Sequence, residues 1–309
     1  MSVPNILVNG LAIGESPRWH QGRLWLCNWG AQEVITVDAM GHREVMARVP
    51  TTIPFSIDWL PDGRLLVVCG PERRLLRQEP HGALVDHADM SALGVSNLNE
   101  IVLDGRGNIY VNGGSTFEPQ QGAAPGIIAL VTPDGSVRRV ADDIAFPNGM
   151  VVTPDNSTLI IAESFRGQLT AFDIVDDGSL SNRRVWAGGV GPDGICMDAD
   201  GAIWTMVGWF GQNLVGRVRE GGEVLDQVQL DRPCFACALG GEDGRTLFML
   251  AADWRVGDHF TDNLARLTTG PRTGQVLTAR APAPAGKGEG GLASTIGTAH
   301  LRSQRRVDR

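Results

Sequence analysis

The sequence predicts an all-β chain, folded as a six-bladed β-propeller of four-stranded antiparallel blades around a central channel. Three observations predict it. A strand–turn–strand unit recurs at a spacing of roughly 40 to 50 residues, the range of a propeller blade. The second strand of every unit is apolar in succession rather than alternating, as suits a strand buried on both faces. No segment carries a long helical period.

The six apolar strands are Leu24–Cys27, Leu65–Cys69, Ile109–Val111, Leu159–Ala162, Ile203–Met206 and Leu247–Leu250. Turn signals precede them, among them Asp62-Gly63, Asp155-Asn156, Asp200-Gly201 and Asp243-Gly244. A third strand is expected after each: Val34–Val37, Leu75–Arg77, Ile127–Val131, Leu169–Phe172, Val215–Val218 and Leu264–Leu267. More polar fourth strands follow, such as Ser136–Val140 and Glu223–Val228. Ile6-Leu7-Val8 is a candidate closing strand that pairs with the last blade, since a closed ring leaves few sheet edges open. A β-sandwich is the competing architecture. The propeller is assigned to residues 1–281. The tail 282–309, rich in Ala, Pro and Gly and then polar and basic, is expected to be disordered.

Composition narrows the function. A formal net charge of −8 argues against a nucleic-acid partner, which needs a basic surface. No apolar run is long enough to cross a bilayer, and Met1–Gly10 has no signal-peptide character, so no membrane partner is expected. The five scattered cysteines, an odd number, form no disulfide framework and point to buried thiols in a reducing cytoplasm. Cys234-x-x-Cys237 lacks the second pair that a zinc site would need. The six histidines show no metal spacing, and no Gly-x-Ser-x-Gly elbow is present.

The chemistry lies in one column of the repeat. About ten residues before each apolar strand, where the innermost strand should begin beside the channel, stand Glu15, Phe55, Asn99, Asn148, Asp193 and a residue near Cys237. Read singly, Asn148-Gly149 and Asp193-Gly194 are also ordinary turn signals. In register, two carboxylates and two carboxamides converging on one axis would be unfavourable unless satisfied. A hard divalent cation satisfies them, Ca²⁺ first, with Zn²⁺, Mn²⁺, Mg²⁺ or Fe²⁺ as alternatives.

The segments Gly14-Glu15-Ser16-Pro17-Arg18-Trp19, Asn99-Glu100, Pro147-Asn148-Gly149 and Pro192-Asp193-Gly194-Ile195-Cys196-Met197-Asp198 occur in order at blade spacing. Together with Cys234–Cys237 and Gly240-Gly241, they resemble the motifs of the senescence-marker-protein (regucalcin)/gluconolactonase/luciferin-regenerating-enzyme family, from about Gly14 to Phe260. The resemblance implies a six-bladed propeller with one divalent ion held by Glu15, Asn99, Asn148 and Asp193. It implies a metal-dependent hydrolase that opens a small lactone or ester, with Asp193 as proton acceptor from water. A phosphotriesterase on the same site and a non-catalytic calcium-binding propeller are the alternatives.

Two positions depart from the family pattern. Asn97 stands where an Arg often binds substrate, and Glu100 stands where an Asp is usual. Loss of the Arg removes a fixed bidentate cation, which makes a sugar-acid lactone the less secure substrate. Asn97, Glu100, Phe55 and Trp209 are the expected substrate contacts. Trp209 belongs to one of three long loops expected to overhang the pocket, with Thr116–Gly122 and Asp253–Phe260. The other expectations are a small-molecule partner and a monomer or small homo-oligomer.

Overall fold

The computed structural model describes residues 4–286, apart from 115–116, 119–121, 124, 209–211 and 256. Its strands form six four-stranded antiparallel sheets in a ring. Blade one runs Gly14–His20, Arg23–Asn28, Glu33–Val37 and Arg43–Arg48 from the axis outward, and blade two begins with Phe55–Trp59 and Leu65–Cys69. The innermost strands of blades three to six are Leu98–Leu103, Pro147–Val152, Cys196–Met197 and Cys234–Gly240.

All six predicted apolar strands form, each second from the axis. Their unbroken hydrophobicity has a direct cause. Leu24 and Leu26 pack toward blade six, while Trp25 and Cys27, on the opposite face, pack toward blade two. Leu65, Val67 and Cys69 face blade one, whereas Leu66 and Val68 face blade three. A cluster of this kind fills each gap between neighbouring blades. With both faces covered, neither parity of the strand can be polar.

The ring closes as the candidate strand indicated. Asn5–Leu11 pairs antiparallel with Gly274–Arg280 and supplies the outer edge of blade six. Blade six also holds a correction. Leu264–Leu267 is not its third strand but part of a helix, α1 (Phe260–Thr269). Leu264 and Leu267 are three apart, which places both on one helical face. The third strand is Gly274–Arg280, with Gln275 and Thr278 among its apolar residues. Past it, Ala281 and Ala283 are buried, and Ala285 bridges to Asp198 of blade five. Order therefore reaches at least Gly286, and residues 287–309 lie outside the described residues. Among the described residues no helix is long and apolar enough to cross a membrane.

Leu250, fully buried between blades six and one, tests the packing. Leu250→Ala should lower stability by about 2–5 kcal/mol in urea unfolding, whereas Val185→Ala, on a residue 60% exposed, should stay within about 0.5 kcal/mol.

Candidate metal centre

A cavity of about 610 Å³ opens at one end of the axis, and Glu15, Asn97, Asn99, Glu100, Asn148 and Asp193 all line it. The innermost strands aim these side chains by breaking their own ladders. Pairing with the second strand is interrupted between Glu15 and Arg18, between Leu98 and Ile101, and between Pro147 and Met150. Such irregularities re-aim side chains at strand ends. In blade one Ser16 takes a left-handed φ of 49°, and its Oγ accepts a hydrogen bond from Ile57 N at 3.1 Å. In blade five Asp193 lies just ahead of the short Cys196–Met197 strand.

Blade two has no such break. Phe55 pairs regularly with Cys69 and its ring is fully buried in the core between blades one and two. Phe55 therefore does not line the cavity, contrary to the expectation of a substrate contact. Its neighbours Ile53 and Pro54 do, and so does Trp29, whose Nε1 donates to Phe55 O at 2.6 Å. Trp209 lies outside the described residues.

The floor is knit across blades. Asn99 Nδ2 donates to Pro147 O at 3.2 Å, leaving its Oδ1 uncommitted by that bond. The Asn148 side chain hydrogen-bonds Asp193, and Ser164 Oγ donates to Pro192 O at 2.7 Å. Gly149 N donates to Asp193 O at 3.1 Å and Gly194 N to Phe235 O at 2.7 Å. The two glycines are there for close approach rather than for a turn. A Cβ on Gly149 would meet Ile195 N at 2.5 Å, and one on Gly194 would meet Ala236 Cβ at 2.4 Å.

Burial and mutual repulsion dominate the electrostatics. Glu15, 4% exposed, is raised well above the usual carboxylate range by burial and then by Asp193 and Glu100. Asp193 is raised by burial and by Glu100, with its Asn148 hydrogen bond working the other way. Glu100 is raised by burial, partly offset by Arg18, which stands 3.6 Å away. Arg18 also donates to Ile101 O at 2.9 Å, tying blade one to blade three. It further offsets the burial of Asp58, whose Oδ2 accepts from Leu103 N. Neither Arg18 nor Asp58 was singled out in the sequence. The signal was there, in a charged residue inside each inner strand, Gly14–His20 and Phe55–Trp59.

Among the described residues no three His, Cys, Asp or Glu side chains cluster closely enough to form a metal site by themselves. The donor set depends on the carboxamides of Asn99 and Asn148 together with Glu15 and Asp193. All four offer hard oxygen donors, and among the described residues no ion pair is found for Glu15 or Asp193, Arg18 being the partner of Glu100, so the residues present fit a divalent cation. Cys234 also borders the cavity. It is buried, like the other four free thiols, and the Sγ atoms of Cys196 and Cys237 lie 3.6 Å apart. The walls carry Trp254, from the Asp253–Phe260 loop expected to overhang the pocket, and the aromatic residues Trp29, Phe146, Phe165 and Phe235, to which the sequence reading gave no place at the site. Among the described residues no Arg or Lys lines the cavity, so nothing replaces the cation absent at Asn97.

The sequence profile of the SMP-30/Gluconolactonase/LRE-like region matches residues 13–253. The chain belongs to this family. It is 27% identical to regucalcin of Danio rerio over 186 residues, which are 55% of this chain and 62% of that relative. Among solved structures, a luciferin-regenerating enzyme superposes with a TM-score of 0.77 at 18% identity, covering 94% of this chain and all of the other. A calcium-binding protein, regucalcin from Agrobacterium tumefaciens, gives a TM-score of 0.72 at 20% identity, covering 94% and 97%. At these identities the two structures establish a shared propeller fold.

The raised carboxylates set a sign for the pH response. The folded metal-free protein retains protons that the unfolded chain gives up at ordinary carboxylate pKa values, so its stability should fall as pH rises from about 5 to about 8. A saturating divalent cation should reverse or flatten that slope, because it favours the ionised forms. Calorimetric melting across this range, with and without Ca²⁺, measures both slopes. Gly194→Ala should force blades five and six apart and weaken Ca²⁺ binding at least tenfold, read by titration calorimetry.

Proposed function

We propose that the chain is a divalent-metal-dependent hydrolase that opens a lactone ring. The observation that carries the reading is the cavity floor. Glu15, Asn99, Asn148 and Asp193, from four blades, line one cavity whose remaining lining is mostly apolar, with Glu100 among them. The family description includes gluconolactonases, and one structural neighbour is described as calcium-binding, which agrees with an oxygen donor set. When bound, the ion supplies Lewis-acid polarisation of the ester carbonyl.

The residues of this chain divide the remaining work. Glu15 and Asp193 bring the anionic charge that holds the cation. Asn99 and Asn148 add neutral oxygens, so two negative charges match a dication and the floor stays attractive to a polarised carbonyl. Asp193 is the proton acceptor for the attacking water. It is held by Asn148, and as an ionised carboxylate at the metal it can take the proton of a water attacking beside it. Glu100 is engaged by Arg18 and is placed as a substrate contact at the floor rather than as the base.

The site should carry about one equivalent of divalent cation per chain when purified without chelator, and lactone hydrolysis should disappear with chelation and return with metal. Asp193→Asn should lower turnover by about a hundredfold or more even at saturating metal, as expected for loss of a general base. Glu15→Gln should be rescued in large part by excess metal. Elemental analysis and a pH-stat assay on a panel of γ- and δ-lactones, aryl esters and phosphotriesters check these outcomes. Full activity in metal-loaded Asp193→Asn would move the base elsewhere. No turnover of any substrate by metal-loaded protein would leave a binding propeller.

A further inference from the structure

We infer that the substrate is a lactone bearing an aliphatic or aromatic substituent, rather than a polyhydroxylated sugar lactone. The substituent would lie against the stacked Phe146–Phe165 pair and a second wall built on the segment that carries helix α1. The inference rests on the lactonase reading of the floor and adds what the walls select.

Beside the proposed ligands and Glu100, the polar side chains on the lining are Asn97, Ser164, Asn213, Asp258 and His259, and the rest is mostly hydrocarbon. Phe146 and Phe165 stack with ring centroids 4.3 Å apart, and both line the cavity. Phe146 holds a left-handed φ of 58°. That conformation is unfavourable for a bulky side chain and persists where the surroundings impose it, often at functional sites. Phe235 and Trp254, which line the cavity too, meet edge to face at 5.8 Å.

This second wall comes from an insertion in the repeat. In blades one and four the second and third strands are joined by one tight 3-10 turn, Trp29–Ala31 and Ser164–Arg166. In blade six the same connection runs from residue 252 to 273 and contains α1. The insertion is built rigidly. Asn263, fully buried, accepts from Arg255 N at 2.8 Å and donates to Arg255 O at 2.9 Å. Leu267 beds into an apolar cluster with Ile13, Phe235 and Ala252, and Leu264 faces the cavity. Gly30 lets the helix approach closely, since a Cβ there would meet Thr268 Cα at 2.8 Å.

Chemistry decides what such walls accept. Every hydroxyl buried without a hydrogen bond is unfavourable, and a six-carbon sugar lactone has several. Among the described lining residues there is no Arg or Lys to receive them. Asn97 Oδ1 already accepts from Ser96 Oγ, and Asp258 is paired with Arg266, which leaves chiefly Asn213 and His259 away from the proposed ligands, too few for the several hydroxyls of a sugar lactone. An alkyl or aryl group instead gains from each methylene buried. A volume of about 610 Å³ also falls in the range of about 300–1,000 Å³ that takes drug-sized ligands, so a bare lactone ring would leave most of it unfilled.

The test compares δ-lactones of increasing side-chain length, from δ-hexalactone to δ-dodecalactone, with δ-gluconolactone on the same Ca²⁺-loaded protein. kcat/KM should rise about three- to fourfold per added methylene until the walls are filled, and δ-gluconolactone should lie at least about a hundredfold below δ-decalactone. Trp254→Ala and Phe165→Ala should each reduce the gain per methylene to about twofold or less, with circular dichroism as the check on folding. A flat series with δ-gluconolactone as the faster substrate would overturn the inference and leave the lactonase reading intact. If no lactone is turned over, that reading fails. Intrinsic tryptophan fluorescence titrations with 5-hydroxydecanoate and gluconate then decide the inference on its own. Tighter binding of the apolar acid supports it, and equal or weaker binding overturns it.

Discussion

Closure of the ring is the constraint from which the site follows. Pairing of Asn5–Leu11 with Gly274–Arg280 joins the two ends of the described chain within one blade, so six innermost strands must converge on one axis. Space there is short. Gly149 and Gly194 stand where a Cβ would strike the backbone or side chain of the next blade. The same crowding brings residues from four blades to one floor, with Asn99 bonded to Pro147 O and Asn148 to Asp193. The apolar second strands make this arrangement stiff, because each is packed on both faces and has no freedom to tilt.

Convergence also creates an electrostatic problem. Glu15, Asp193 and Glu100 repel one another in a buried setting, and Arg18 answers mainly Glu100. Left alone, the floor favours protonated carboxylates. A divalent cation bound there would reverse that preference and link metal binding, proton release and stability through the same side chains. Interruptions in the inner ladders are part of this design. In blades one, three and four a break in the ladder lies beside Glu15, Asn99 and Asn148, and in blade six one lies beside Cys234, all of which line the cavity. Where the ladder runs regularly, in blade two, Phe55 turns into the core.

Floor and walls therefore have different origins. The floor is made by the repeat, one position per blade. The walls are made by the connections between strands: Phe146 precedes the inner strand of blade four, Phe165 sits in the turn after its second strand, and α1 interrupts blade six. A scaffold of this kind can keep its chemistry at the floor while connections between strands set selectivity.

Periodicity alone determined the propeller. A strand buried on both faces must be apolar at every position, and six such runs at blade spacing have few other uses. The floor residues were legible for a related reason, since Glu15, Asn99, Asn148 and Asp193 share one register position and polar groups there stand out against a structural column. What lay between the repeats was not legible. Leu264–Leu267 reads equally well as a strand or as one face of a helix, because a short apolar segment has no period long enough to separate the two. Phe55 shares the ligands' register, yet its direction depends on a ladder break that no local residue announces. Phe146–Phe165 and Phe235–Trp254 come from blades four and six yet line one cavity. Only the closed ring brings those walls together, because a shared channel is a property of the axis and not of any one stretch of chain.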